Sequence, residues 1–253
     1  MTGDDHVLAR DLAGQAGTRL LELRAQGGDP DVLRKAGDRL SHEFLTAALA
    51  EARPEDVVLS EEGADNPARL TARRVWIVDP LDGTREFGEP GRTDWAVHVA
   101  LWESEANDLT AGAVALPAQD RVLSTAEPPP PLAAGEAPAK IRIVMSRSRP
   151  PQFVRNISGL IDAELVPLGS AGAKVAAVIN GEVDAYVHGG GFYEWDTAAP
   201  VAVARAAGLH ASRIDGSDLA YNQADLLMPD ILVCRPAVAG VLLQAIREVT
   251  HAP

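Results

Sequence analysis

Asp79 and Asp82 stand three positions apart at the end of a hydrophobic run, in VWIVDPLDGTREF (75–87). Two carboxylates held this close raise one another's pKa unless a positive charge lies between them. Either the side chains diverge into solvent, or a cation belongs at the turn. Hard cations such as magnesium take carboxylate and carbonyl oxygens, keep some waters, and leave positions open for phosphate. Pro80 restrains the backbone here, so Leu81 can offer its carbonyl beside the two carboxylates. Gly83 and Thr84 follow, and a helix beginning there would face its amides toward an anion. Thr84 adds a hydroxyl able to orient water. Asp, Pro and Gly also make ordinary turns, so the stretch alone leaves a plain turn open.

Two more acidic groups sit where regular elements begin or end. SEEGAD places Glu61 and Glu62 after a short strand, where Glu61 can reach the same ions or simply line a loop mouth. In EWDTAAPVAVARAAG (194–208), Asp196 comes just before a small-residue helix. There it suits an N-cap, and a capping carboxylate can also ligate metal. Ala198 and Ala199 would let that helix approach a neighbouring element closely.

Around these groups the elements follow a readable order. Leu8, Leu12, Ala16, Leu20 and Leu23 recur at helical spacing until Gly27-Gly28, and a second helix from about Asp31 places Leu33, Leu40, Phe44 and Ala48 on one face. VVLSEE, RVWIVD, DWAVHVALW, LTAGAVALP and RVLST read as consecutive strands. AEPPPPLAAGEAPAK (126–140) then reads as a connection between two sub-domains, because four consecutive prolines cannot join a sheet. Strands and helices alternate after it, with helices expected over 150–161, 172–181 and 197–207. The expected division is an N-terminal α+β unit (1–130) carrying most of the acids and a C-terminal α/β unit (140–253) carrying Asp196. Trp76 and Trp195 are expected to pack beside the acidic turns. His188 and the three glycines after it form either a plain loop or an opening for part of a ligand.

Of the 253 residues, 46% are hydrophobic and 23% charged, and the net charge is −13. That charge argues against a nucleic-acid partner. Cys234 is the only cysteine, which excludes an intrachain disulfide or a thiolate zinc cage, and the histidines show no zinc-ligand spacing. MTGDDHVLAR lacks the pattern of a signal peptide, and no apolar run approaches the roughly 18 residues that cross a membrane. A cytoplasmic protein with no membrane partner is expected.

DPLDGTREF, with Glu-Glu at the end of the strand before it and WDTAAP far downstream, resembles the magnesium-dependent superfamily of inositol monophosphatases and fructose-1,6-bisphosphatases. The resemblance implies a layered α-β-α-β-α sandwich, antiparallel-rich in its first half and with a mixed sheet in its second. It implies that Asp79 bridges two Mg²⁺ ions, that Glu61 and the Leu81 carbonyl complete one, and that Asp82 and Asp196 complete the other. Glu61 and Thr84 would help activate the attacking water. Paired ions suit in-line displacement at phosphorus, because both the attacking and the leaving oxygen are stabilised. The same likeness implies a homodimer and a small phosphorylated substrate.

Arg85-Glu86 after DGT departs from the Thr-Asn of inositol monophosphatases and resembles the branch that removes the 3′-phosphate of adenosine 3′,5′-bisphosphate (PAP) or its sulfated form. SRS (146–148) and GSAGAKVAAVINGEVDAY (169–186) resemble that branch too. They imply a substrate site of Gly83, Thr84, Arg85, Ser146, Arg147, Ser170, Lys174 and Asp196. Lys174 on an apolar helix either meets a charged partner or reaches out to solvent. The family's lysine-and-aspartate loop between its first two helices is short here. Asp38, with Lys35 before it, falls at that loop's last aspartate, and Asp38 and Glu62 are the candidates for a third ion. Inositol monophosphate and fructose-1,6-bisphosphate are the alternative substrates. A regulatory binding protein on the same fold is the non-enzyme alternative, and the intact set Glu61, Asp79, Asp82, Thr84 and Asp196 argues against it.

Overall fold

The computed structural model describes residues 4–131 and 138–250. Helices α1 (Asp5–Ala25) and α2 (Pro30–Ala52) come first. Each starts on an aspartate, Asp4 and Asp29, whose side chain accepts from backbone amides of the first turn. Then come β1 (Val57–Ser60), β2 (Arg74–Asp82), the one-turn helix α3 (Thr84–Gly88), β3 (Ala96–Glu103), β4 (Asp108–Leu116) and β5 (Arg121–Ser124). These strands form one sheet in chain order, with β1 parallel to β2 and every other pair antiparallel.

The second half holds β6 (Arg142–Ser146), α4 (Gln152–Ile161), β7 (Glu164–Leu168), α5 (Ala171–Ile179), β8 (Ala185–His188), β9 (Phe192–Tyr193) and α6 (Glu194–Ala206). It ends with β10 (His210–Ser212), β11 (Leu227–Met228), β12 (Ile231–Cys234) and α7 (Pro236–Thr250). Its sheet runs β10-β12-β8-β6-β7 and is mixed, with β6 parallel to β7 and β8 while β12 opposes β8. The paired β9 and β11 form a small ribbon that sequence patterning did not anticipate. Part of the expected linker, 132–137, lies outside the described residues.

Strand parity builds the layers, because successive side chains point to opposite faces. Trp76 and Val78 of β2 pack with Leu12, Leu20 and Leu45 of α1 and α2. Val75 and Ile77 pack instead with Ala176 and Val203 of α5 and α6. Tyr186 of β8 joins that same central core, while Ala185 and Val187 face Val154 and Leu242 of α4 and α7. The result is the expected α-β-α-β-α sandwich. Both sheets are covered on both faces, so their strands read as apolar runs.

Small residues set the spacing. A Cβ on Gly112 would lie 2.7 Å from the Ala202 Cβ, so β4 and α6 nearly touch. On α2 the buried stripe is Gly37, Ser41, Leu45 and Leu49 rather than the larger residues expected there. Gly37 sits where a Cβ would be 2.8 Å from Phe87 and 2.9 Å from Leu81. Close packing on the turn after β2 selects a small side chain at Gly37, and Leu33, Phe44 and Ala48 only flank the contact. Trp76 is correspondingly buried under α1 and α2 with its indole N–H on Asp56, not beside the acids. Cys234 is buried, and no described helix is long and apolar enough to cross a membrane.

Candidate metal centre and phosphate pocket

β2 loses register with β3 between Asp79 and Asp82, and this irregularity turns both carboxylates to one side. Leu81 N–H donates to Asp79 Oδ1 at 3.0 Å, which pins the turn. Gly83 has φ +85°, a left-handed conformation that favours glycine. Asp82 reaches across to the N-terminus of α5, where it accepts from the amides of Ala171 and Gly172 and from the Ser170 hydroxyl. Thus the helix end that faces negative charge here is α5, and its first partner is a carboxylate of the protein itself.

Asp196 comes from α6, in the helical layer between the two sheets. It is not the N-cap residue of α6, the alternative its position had left open. The helix begins two residues earlier, at Glu194, and Asp196 sits in its first turn, accepting from Tyr193 N–H at 2.6 Å. That reciprocal bond still satisfies an amide at the helix start and leaves the other carboxylate oxygen free. Asp79, Asp82 and Asp196 each offer an oxygen, and these oxygens lie within 4.8 Å of one another. Glu61, at the end of β1, sets its carboxylate against Asp79.

Electrostatics shows what the cluster needs. Burial, then the charges of Glu61 and Asp82, raise the Asp79 pKa well above the usual carboxylate range. Burial and the charge of Asp196 push Glu61 to about 7, and burial and Asp82 push Asp196 to about 6. Asp82 is the exception: burial opposes its charge, yet His98, Lys174 and Ser170 hold it at about 2. Three carboxylates crowded around a fourth that stays ionised, all oxygen donors, fit a hard divalent cation.

An acid whose pKa is raised by folding stabilises the fold below its unfolded pKa, and that contribution is lost as pH rises through the folded value. For Glu61 and Asp196 the window runs from 4.5 and 3.8, respectively, to about 7 and about 6. His188, lowered to about 4 by burial and by Lys174 and Arg149, works in the opposite sense. With more acids raised than histidines lowered, the metal-free protein should melt at lower temperature at pH 7.5 than at pH 5.5. A divalent cation should restore the loss, so the gap between loaded and chelator-treated melting curves should widen with pH.

Beside the acids lies a cavity of about 780 Å³, lined by Glu61, Asp82, Asp196, Arg85, Arg149 and Lys174 among others. Thr84 lies at its wall, with Oγ1 3.0 Å from the Leu81 carbonyl and 3.2 Å from Asp38 Oδ1. Burial and the charge of Glu62 raise Asp38 to about 6. Acids, a hydroxyl on a carboxylate, and cations thus share one opening.

The sequence pattern of the inositol monophosphatase family matches residues 9–251. The chain belongs to the inositol monophosphatase family. It is 50% identical to the 3′-phosphoadenosine 5′-phosphate phosphatase of Mycobacterium leprae over 97% of this chain and 94% of that one. It is 32% identical to the 3′(2′),5′-bisphosphate nucleotidase CysQ of Escherichia coli O157:H7, over 83% and 91%. Among solved structures, CysQ of Bacteroides thetaiotaomicron superposes with a TM-score of 0.78 at 28% identity, covering 91% of this chain and 97% of that one. Inositol monophosphatase II of Staphylococcus aureus shares the fold, with a TM-score of 0.81 at 22% identity, over 96% and 95%.

Against that family frame, the structure sorts the expected substrate residues. Gly83, Thr84, Arg85, Ser146, Ser170, Lys174 and Asp196 all line the cavity. Arg147 does not. Its guanidinium is held by Glu86 and Glu89, both within 3 Å, which ties α3 to the end of β6. Arg149, two residues on, lines the cavity in its place. Lys174 does not reach out to solvent either: it is 6% exposed, with Nζ donating to the Ser170 carbonyl at 2.7 Å and lying over the Tyr186 ring. Burial lowers its pKa, against the pull of Asp82, Glu86, Asp196 and Asp94. His188 is a wall residue, and Trp195 stacks on Tyr193 at the rim. Glu62 stays exposed and acts on Asp38 and Glu61 only through its charge.

Sequence reading missed His98, Arg149 and Asp94. His98 had one signal, its place on the inward parity of β3 with Ala96 and Ala100. Asp94 accepts from Gly169 N–H and pairs with Arg92, holding the loop before α5. Nothing in the local sequence announced that role.

Proposed function

We propose that this chain is a Mg²⁺-dependent 3′(2′),5′-bisphosphate nucleotidase that removes the 3′-phosphate of PAP, within sulfur assimilation or PAP recycling. The observation that carries this reading is a single cavity with two characters. Glu61, Asp82 and Asp196 make one part acidic, while Arg85, Arg149 and Lys174 supply cations to the same space. A monophosphate on the acidic part would leave those cations unused, whereas a bisphosphate uses both. The half-identical relatives named as PAP phosphatases support the same choice.

Asp79, with Glu61 and the Leu81 carbonyl, would hold one Mg²⁺, and Asp79, Asp82 and Asp196 a second. Asp38 and Glu62 would serve a third. When bound, the ions supply Lewis-acid charge at phosphorus and lower the pKa of water. The chain's own work is positional. Thr84 Oγ1 carries one proton and faces two acceptors, so its hydroxyl is aligned along a fixed line between the turn and Asp38. Asp38, raised toward neutrality, is poised to take a proton passed along that line. The proposed enzyme works as a cytoplasmic homodimer, a state that sedimentation equilibrium reads directly.

The discriminating experiment compares substrates in one variant. Lys174→Met keeps the apolar stem and deletes the charge. A charge-assisted contact contributes about 1.5–3 kcal/mol, so kcat/KM for PAP should fall about tenfold to a hundredfold while inositol monophosphate hydrolysis hardly changes. Equal losses on both substrates would take Lys174 out of the specificity argument. Wild-type preference for inositol monophosphate or fructose-1,6-bisphosphate over PAP would overturn the substrate assignment itself.

A further inference from the structure

We propose that His98 is a positioning residue that fixes Asp82 against the α6 turn carrying Asp196, and so sets the spacing of two metal ligands from opposite halves of the chain. This rests on the reading of the acidic cluster as a metal centre.

His98 lies on β3 and has no solvent exposure. Its Nδ1 is 3.1 Å from the backbone carbonyl of Trp195, the residue before Asp196. Its Nε2 is 3.2 Å from Asp82 Oδ2. A carbonyl only accepts, so Nδ1 carries the hydrogen that meets Trp195, and Nε2 lies against the Asp82 carboxylate in close contact without an aligned hydrogen bond. One rigid side chain therefore connects the β2 turn to the first turn of α6.

The seat of the ring is made for it. A Cβ on Gly172, in the first turn of α5, would collide with His98 Nε2. Glycine at that place lets the imidazole slide under the helix end, where the Gly172 amide also donates to Asp82. Three elements thus converge on one ring: the β2 turn, the start of α5 and the start of α6. Ligand carboxylates held by outer partners keep their orientation, and losing such a partner typically costs about 10–100-fold in metal affinity.

The test measures metal binding rather than turnover. Mn²⁺ is titrated into chelator-treated protein, and free ion is read by electron paramagnetic resonance. His98→Phe keeps a ring but deletes the Nδ1 bond to the Trp195 carbonyl and the nitrogen that faces Asp82, and Gly172→Ala keeps the imidazole but displaces it. Both are expected to raise the Mn²⁺ dissociation constant about tenfold to a hundredfold. Each should also raise the Mg²⁺ concentration needed for half-maximal activity, with kcat recovered in part at high Mg²⁺. A merely structural role would lower the melting temperature and the active fraction without moving the metal constant. Should His98→Phe fail to fold, His98→Leu, which also lacks a donor, is read the same way. A dissociation constant within twofold of wild type in the folded variants overturns the proposal for His98. Failure of the wild type itself to bind Mn²⁺ overturns the metal centre instead.

Discussion

Asp79→Asn is expected to abolish turnover while leaving the fold intact and the metal-free protein at least as stable as wild type. The substitution keeps an oxygen where Leu81 N–H donates to Asp79 Oδ1, so the turn retains its pin. It deletes the charge of the most buried member of a crowded set, since Asp79 is 1% exposed. Metal contributes several kcal/mol of charge stabilisation at a phosphoryl centre, and each 1.4 kcal/mol is a decade in rate. Activity should therefore drop by at least about 10³-fold. Most core substitutions destabilise. This one removes repulsion among Asp79, Glu61 and Asp82, so the chelator-treated variant should melt at or above the wild-type temperature. Near wild-type activity at saturating Mg²⁺ would remove Asp79 from the metal centre. Inactivity with a strongly lowered melting temperature would show that its role is structural.

Thr84→Ala should lower kcat by about 10²–10⁴-fold, the range for a positioned proton-transfer group, with a much smaller change in KM. The hydroxyl is fixed between the Leu81 carbonyl and Asp38, and a group that aligns the attacking water acts mainly in the transition state. Thr84→Ser, which keeps the hydroxyl, should recover most of the loss. An effect confined to KM would make Thr84 a substrate contact. Full activity of the alanine variant would exclude both roles.

Local chemistry alone determined much of this protein. Asp-Pro-Leu-Asp-Gly-Thr displayed its oxygen donors because the carboxylates, the carbonyl and the hydroxyl lie within six residues, although the stretch alone also suited a plain turn and the reading as ligands came from the family resemblance. Apolar runs and turn residues likewise announced helices, strands and the order of the layers, since burial on both sheet faces leaves its mark residue by residue.

Long-range pairing emerged only once the chain was packed. Asp82 meets the α5 amides 89 and 90 positions away, and no periodicity encodes that encounter. Arg147 and Arg149 are indistinguishable as letters, yet one is neutralised by Glu86 and Glu89 while the other lines the cavity. Charge says nothing about partner until the chain is packed. The buried face of α2 was hidden because Gly37 and Ser41 carry little hydrophobic signal, and only close approach makes smallness a requirement. His98 showed only its inward parity on β3. A lone histidine in a strand acquires meaning from the carbonyl, the carboxylate and the glycine that three other elements bring to it.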